Sequence, residues 1–378
     1  MKTAIVILNW NTADYLRKFL PGVIASCQGR DAEVVVADSA STDDSLKVLR
    51  EEFPAVRVIA LEANYGFTGG YNRALEQVEA EYFVLMNSDI EVPEDWLDPL
   101  VAWMDTHPRC GACGPKLLSW YERDTFEYAG AAGGLLDPMG YPLCRGRILN
   151  RLEKDRGQYD TPERVGWITG ACLLVRSSLW KALGGLDARF FAHMEEIDLC
   201  WRAQLSGWEI QVVPSSKVYH IGGGTLPKSS PWKLELNYRN NLLLLDNNLA
   251  LTRKAQHPHW RAKKCLRRAR MRIFGRKLLD GAAALVYLLT FHPDRFQAVL
   301  KAHKAYDKMK TTPSEEEVAR QEPVPVRGLT RRTLFRSYLK FVDEKIYEVI
   351  LRCFFGGKKE HSGDYVTDER RKNNQNRP

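Results

Sequence analysis

Hydrophobic and polar positions change period several times along this chain. Residues 3–8 (TAIVIL), 33–37 (EVVVA), 56–61 and 81–86 (EYFVLM) are nearly unbroken apolar runs rich in β-formers. Runs of that kind predict strands buried on both faces of a parallel sheet. Between them the apolar residues recur at helical spacing. Tyr15, Leu16, Phe19 and Leu20 follow a candidate cap at Thr12, and Leu46, Leu49 and Phe53 follow Ser41 and Thr42. Residues 68–78 predict a third helix, and Pro93 the first position of a fourth. Strands alternating with helices over short connections predict helices on both faces of the sheet. Ligands of such sheets bind beyond the carboxyl ends of the strands, where Asn9, Asp38 and Asp89 fall.

From about 116 to 225 the pattern is less regular. A strand is expected at 172–175, a short helix capped by Ser177, a helix over 199–205 that stops at Ser206-Gly207, and a strand at 209–213. Beyond 230 the chain reads as helical. Residues 253–277 hold 11 Lys and Arg and no acid, residues 278–291 are apolar, and 313–325 combine four glutamates with three prolines. The expected organisation is therefore a catalytic domain over 1–250, divided into halves 1–115 and 116–250. It is followed by a basic amphipathic helical region (251–312), a linker (313–333), an amphipathic helix (334–355) and a disordered tail (356–378).

Composition narrows the class. With 378 residues, 44% hydrophobic, there is enough apolar side chain to build a core, which excludes a disordered or fibrous protein. The eight cysteines are scattered singly, as reduced thiols are. Polar residues at Asn9, Asn11 and Asp14 come too early for a signal peptide, and no apolar run reaches the roughly 18 residues of a spanning helix. A cytoplasmic protein is expected. Charge is split unevenly: 1–250 carry 25 Lys and Arg against 33 Asp and Glu, while 251–378 carry 30 against 14. An acidic domain followed by a basic module predicts an anionic partner, either nucleic acid or a membrane surface.

Candidate chemistry sits at a few places. There is no G-x-x-x-x-G-K-[ST] loop and no G-x-G-x-x-G after the first strand. Residues 66–70 (GFTGG) precede a helix, where exposed N–H groups favour an anion. Ser41 or Thr42 suffices to cap the second helix, so Asp38 is left for another task. Asn87-Ser88-Asp89 ends a strand, where a carboxylate can hold a divalent cation against a diphosphate. Glu195, Glu196 and Asp198 crowd three carboxylates beside Phe190, Phe191 and Met194; like charges near apolar surface raise a pKa, which suits a general base. Cys110-x-x-Cys113 has no second pair in register, which argues against zinc.

Taken in order, ILNWNTADYL, ADSASTDDS, NYGFTGGYNRAL, LMNSD, WITGACLLVR, GGLDARFFAHMEEIDLCWRAQLSGW and VYHIGGGT resemble family 2 glycosyltransferases, nearest the rhamnosyltransferase-like branch of bacterial surface-polysaccharide synthesis. The resemblance covers about residues 1–250. It implies an α/β GT-A fold with a mostly parallel central sheet flanked by helices, a dTDP- or UDP-sugar donor, and Mg²⁺ or Mn²⁺. It places Asn9, Asn11, Asp38 and Ser41 on the base and ribose, Asn64, Gly66 and Asn72 in the loop that closes on the nucleotide, and Asn87, Ser88 and Asp89 in the metal motif, with Asn where the family has its first Asp. His220 matches a histidine that often completes the metal site. Glu195-Glu196 stands where the family usually has Glu-Asp, with the second carboxylate as base and Asp198 close by. Trp167, Thr169 and Gly170 would line the acceptor side.

The expectation that follows is an inverting transferase acting on a saccharide or lipid-linked saccharide, peripheral on the inner face of the membrane through its basic C-terminal region. No reader motif accompanies the charge, so nucleic acid is not expected as partner. A sugar nucleotidyltransferase or an inactive GT-A-like binding protein shares the architecture and would differ in the diphosphate released.

Overall fold

The apolar runs become strands whose alternate side chains face two different helical layers. In the computed structural model, which describes residues 1–148, 151–222 and 230–330, the chain begins as β1 (Thr3–Asn9), α1 (Ala13–Ala25), β2 (Ala32–Asp38), α2 (Ser45–Glu52), β3 (Arg57–Ala60), α3 (Gly66–Leu75) and β4 (Tyr82–Asn87). β1 pairs in parallel with β2 and β4, and β2 with β3. Ile5, Ile7, Val34, Val36, Val84 and Met86 pack on one face with Leu16, Leu20 and Val48 of α1 and α2. Ala4, Val6, Val35, Ala37, Phe83 and Leu85 pack on the other with Tyr71, Ala74 and Leu75 of α3. A strand covered on both sides carries no polar alternation, which is why these runs are so plain in the sequence.

The second half adds mixed pairing. β5 (Ile90–Glu91), α4 (Leu97–Thr106) and β6 (Cys110–Ser119) are followed by a small antiparallel sheet of β7 (Gly134–Leu136), β8 (Pro142–Cys144), β9 (Arg147–Ile148) and β10 (Arg151–Leu152). Then come β11 (Glu163–Arg164), β12 (Cys172–Arg176), α5 (Ser177–Leu183), α6 (Glu195–Leu205) and β13 (Glu209–His220). The main sheet has the order β11-β13-β6-β12-β4-β1-β2-β3, with β5 on β13. β12 runs antiparallel between β4 and β6, so the expected sheet is mixed on this side.

Four helices follow: α7 (Pro231–Gln256), α8 (Ala262–Leu289), α9 (Pro293–Met309) and α10 (Glu315–Arg320). α7 runs without a break through residue 250, and its Leu242–Leu245 belong to the same core as β12 and α6. The apolar stretch 278–291 forms the second half of α8 rather than an element of its own. No described helix is long and apolar enough to cross a membrane. The segments 334–355 and 356–378 lie outside the described residues.

Several helix starts differ from expectation, the third helix beginning at Gly66 rather than 68. The second helix begins at Ser45, not behind Ser41 or Thr42; the fourth begins at Leu97, not at Pro93; and the helix expected from 199 begins at Glu195. Thr12 does precede α1, but its hydroxyl does not cap the helix: it donates to Asn9 Oδ1 and lies within hydrogen-bond distance of the Ser88 hydroxyl (2.8 Å). At Thr12 and Ser41 side-chain hydrogen bonds across the strand ends have taken the role a cap would otherwise fill.

Candidate functional site

The carboxyl ends of β1, β2 and β4 lie side by side, with Asn9 in register with Asp38 and Leu8 with Asn87. Asn9 and Asp38 are fully buried and joined: Asn9 Nδ2 donates to Asp38 Oδ2 at 2.7 Å and to Ser41 Oγ at 3.2 Å. Asp38 Oδ1 accepts from the Ser41 amide, and the Asn11 amide donates to Ser41 Oγ, both at 2.9 Å. Asn11, in the left-handed region at φ 53°, turns its side-chain oxygen to the amides of Thr42 and Asp43. Sequence order thus hides one compact polar floor made from 9–12 and 38–43.

Asn64 and Gly66 lie at the start of α3, where Asn64 Oδ1 accepts the Gly66 amide at 2.9 Å. Gly66 has φ +70° and sits so close to Phe191 that a Cβ would come within 2.6 Å of its carbonyl oxygen. Asn72 is placed differently from its expected role. Its amide brackets the backbone of Leu186, donating to the carbonyl at 2.8 Å and accepting from the N–H at 2.9 Å, so it fastens α3 to the turn before α6.

Asn87 and Ser88 close β4 and lead to the buried Asp89. Asp89 Oδ1 lies 3.1 Å from His220 Nε2, and its Oδ2 accepts the Gly222 amide at 3.3 Å. The other ring nitrogen, Nδ1, has no hydrogen bond and faces Glu127 Oε1 at 3.5 Å. Burial works to raise the Asp89 carboxyl, but the hydrogen bond and charge of His220 outweigh it and hold it below the ordinary range. Burial likewise opposes the imidazolium, yet Asp89 and Glu127 push His220 up to about 10. Glu127 was not among the residues singled out from sequence; nothing local marks it, because it lies in an irregular stretch between β6 and β7.

The carboxylate cluster is resolved into two kinds of group. Asp198 is fully buried and fully used, accepting from Asn247 and Asn248 (3.0 and 2.9 Å) at one oxygen and from Arg202 (2.6 Å) at the other. It ties α6 to α7 and has no oxygen left for a substrate, contrary to its expected catalytic part. Glu195 and Glu196 each keep one buried oxygen without a partner. Burial first, and then the Glu196 charge, raise Glu195 well above the usual range. Burial pushes Glu196 up to about 7, with backbone hydrogen bonds from its own turn and Gly170 pulling the other way. Gly170 lies against Phe67 and the Glu196 Cβ, which brings the α3 side and the α6 side together.

The backbone entering α6 is strained: Phe191, His193 and Met194 all have positive φ, at 64°, 73° and 74°. α7 holds it there. The buried Asn240 amide donates to the carbonyls of Phe190, Ala192 and His193 at 2.7–2.9 Å, and Arg239 donates to Phe190 O at 2.7 Å. Both were missed from sequence, although Asn240, Asn241, Asn247 and Asn248 inside a leucine-rich helix were a signal, since buried amides need partners. Asn240→Ala is expected to cost on the order of 3 kcal/mol of stability by orphaning these carbonyls, as read from denaturant unfolding. An unchanged midpoint would mean that the bend holds itself.

Where the acceptor was expected to bind, Thr169 is buried and its hydroxyl accepts the Ala171 amide. Trp167 departs from its expected part. It is 3% exposed, packs against Gly134 and donates to Leu135 O at 3.0 Å, so it supports the wall and offers no free face. The exposed indole nearby is Trp232, whose ring lies 5.2 Å from that of Phe191.

Residues 4–182 match the family described as Glycosyl transferase family 2. The chain is 26% identical over 307 residues to the N-acetylglucosaminyl-diphospho-decaprenol L-rhamnosyltransferase of Mycobacterium tuberculosis, covering 73% of this chain and 97% of that protein. It is 24% identical over 248 residues to rhamnosyltransferase WbbL of Escherichia coli K12, covering 62% of this chain and 90% of that one. The fold is similar to that of GalNAc-T7, solved with UDP, GalNAc and Mn²⁺, with a TM-score of 0.51 at 18% identity over 68% of this chain and 51% of that one. The expected GT-A architecture is thus the one observed.

Proposed function

This chain is a glycosyltransferase of family 2, with the family match over residues 4–182, and on that premise we propose that it is an inverting enzyme acting on a lipid-diphosphate-linked saccharide, with rhamnose as the sugar to test first. The observation that carries the reading is Glu196, a half-buried carboxylate with one unpartnered oxygen that burial pushes up to about 7. The lipid-linked acceptor is suggested by the name of the M. tuberculosis relative.

The nucleotide would lie over Asn9, Asp38 and Ser41, with the start of α3 at Asn64 and Gly66 closing on it. Mg²⁺ or Mn²⁺ fits the donors present. Asp89 and His220 are a carboxylate–imidazole pair at the strand end, Asn87 adds an amide oxygen, and no three His, Cys, Asp or Glu side chains among the described residues form a closed ligand set. Asp89, with His220 and Asn87 beside it, would hold the cation, and phosphate oxygens of the substrate would complete its shell. When bound, it supplies positive charge to the departing diphosphate.

Glu196 takes the proton from the acceptor hydroxyl, whose oxygen attacks the anomeric carbon as the bond to the diphosphate breaks on the opposite face. Burial and the neighbouring Glu196 charge hold the Glu195 carboxyl well above the usual range, which leaves Glu196 the readier of the two to act as base. Phe191 and Trp232 supply aromatic surface for the acceptor sugar, in the place expected of Trp167. Incubation with dTDP-, UDP- and GDP-sugars, Mn²⁺ and a lipid-diphosphate saccharide is expected to release nucleoside diphosphate and extend the acceptor. Pyrophosphate released from a nucleoside triphosphate would instead make it a nucleotidyltransferase, and no turnover with any donor would make it a binding protein.

A further inference from the structure

The basic C-terminal region is divided by the structure into two faces with opposite fates. One face of α8, carrying Cys265, Leu266, Ala269, Ile273, Arg276 and Asp280, is buried. Among the described residues the other face is unpartnered. Met271, Phe274, Leu278, Leu285 and Leu289 are each 53–68% exposed. Their spacing of 3, 4, 7 and 4 places them in one stripe along the helix. One turn earlier the same stripe carries Lys264, Arg267 and Arg268. A single exposed face is therefore cationic in its first third and apolar beyond.

At the junction of the two lies a cavity of about 560 Å³ between α7, α8 and the β7–β8 turn. Its lining includes Arg253, Arg268 and Arg272 with Met139, Trp260 and Met271. Burial, then the Arg272 and Arg268 charges, pull the Arg253 guanidinium below its ordinary range. Of the eleven cations over 253–277, only Lys263, Arg276 and Lys277 have a carboxylate partner among the described residues. Arg272 donates to Pro138 O at 3.3 Å and to Met139 Sδ at 3.8 Å, and to no carboxylate among the described residues. Trp260 is fixed beside them, stacked on His257 at 4.1 Å with Lys264 Nζ 3.8 Å from its centroid. Three guanidiniums drawn together without an acid call for an anion, and Met271 belongs both to this cavity and to the apolar stripe.

We propose that the Arg253–Arg268–Arg272 cavity binds the phosphate of an anionic membrane phospholipid while the Met271–Leu289 stripe of α8 lies in the interfacial layer of the same bilayer. The charge selects the surface and the stripe supplies the apolar area, as in a monotopic amphipathic helix. Trp260 sits where an indole is favoured, between headgroups and chains. The inference rests on α7, α8, the residues joining them and the β7–β8 turn, and stands whether or not the transferase reading does.

The test is flotation of the full chain with phosphatidylcholine vesicles, with and without phosphatidylglycerol, at low and high salt. Binding is expected only with phosphatidylglycerol and is expected to weaken with salt. Replacing Arg253, Arg268 and Arg272 together by Gln is expected to lower the partition coefficient on the order of a hundredfold. Phe274→Asp with Leu278→Asp, at exposed positions only, is expected to abolish flotation without lowering the melting temperature, which keeps the test open if the arginine variant folds poorly. Equal flotation on both vesicle types, undiminished binding by the Asp variant, or no flotation would overturn the proposal. So would stabilisation by inorganic phosphate alone without vesicle binding, which would mark a site for a free phosphate. Retention on an oligonucleotide without flotation would replace the bilayer with nucleic acid.

Discussion

Glu196→Gln is expected to lower the transfer rate by about 10²–10⁴-fold while leaving nucleotide affinity unchanged, because the amide keeps the shape of the side chain and removes its basicity. The pH profile gives the sharper signature. The base acts ionised, and burial places its pKa at about 7. The wild-type kcat/KM should therefore rise about tenfold per unit below pH 7 and level off above it, and the variant should lose that limb. Stability should move the opposite way. A folded-state pKa raised from 4.5 to about 7 means that the protonated carboxyl stabilises the fold fully below pH 4.5 and that this contribution is lost as pH rises through 7. Glutamine never ionises, so the melting temperature of the variant should exceed that of the wild type by a margin that grows between pH 4.5 and 7. If the rate falls but the acid limb survives, the base is a different group.

Asp89→Ala is expected to remove donor turnover by about 10³-fold, the scale of several kcal/mol of charge stabilisation at the leaving diphosphate. It also leaves His220 with Glu127 as its one carboxylate neighbour. Thermal melting with UDP and Mn²⁺, separately and together, provides a readout that needs no turnover. The wild type should be stabilised more by the pair than by either alone, and the variant should lose that excess. Wild-type turnover that survives a chelator would show that the Asp89–His220 pair acts without a cation.

The first half of the molecule was largely legible in its sequence because β1, β2 and β4 are buried on both faces, and burial on both faces writes an unbroken apolar run. Asn9, Asp38 and Asp89 were legible for a related reason, as polar residues standing where such runs stop. Helix starts were not. Ser41 looks like a cap, but its hydroxyl is already claimed by Asn9 and the Asn11 amide, and its own N–H by Asp38, so the chain takes four more residues to begin α2. The separate fates of Glu195, Glu196 and Asp198 were also beyond sequence. Which carboxylate is spent depends on Asn247 and Asn248, about fifty residues away on α7. Glu127, which faces His220, was hidden in the same way.

The three left-handed residues before Glu195 have a cost that reaches past the site itself. Each holds a conformation that L-residues avoid, worth on the order of 1–3 kcal/mol, and the amide of Asn240 keeps the bend in place. The segment that leads into Glu195 and Glu196, the proposed base, is therefore a strained one. A lineage under pressure for heat resistance would find easy gains there, by glycine or by a looser turn, and each gain would blunt the catalyst. Thermal tolerance and turnover are set against each other in those few residues, and improvements that spare activity have to come from elsewhere in the molecule.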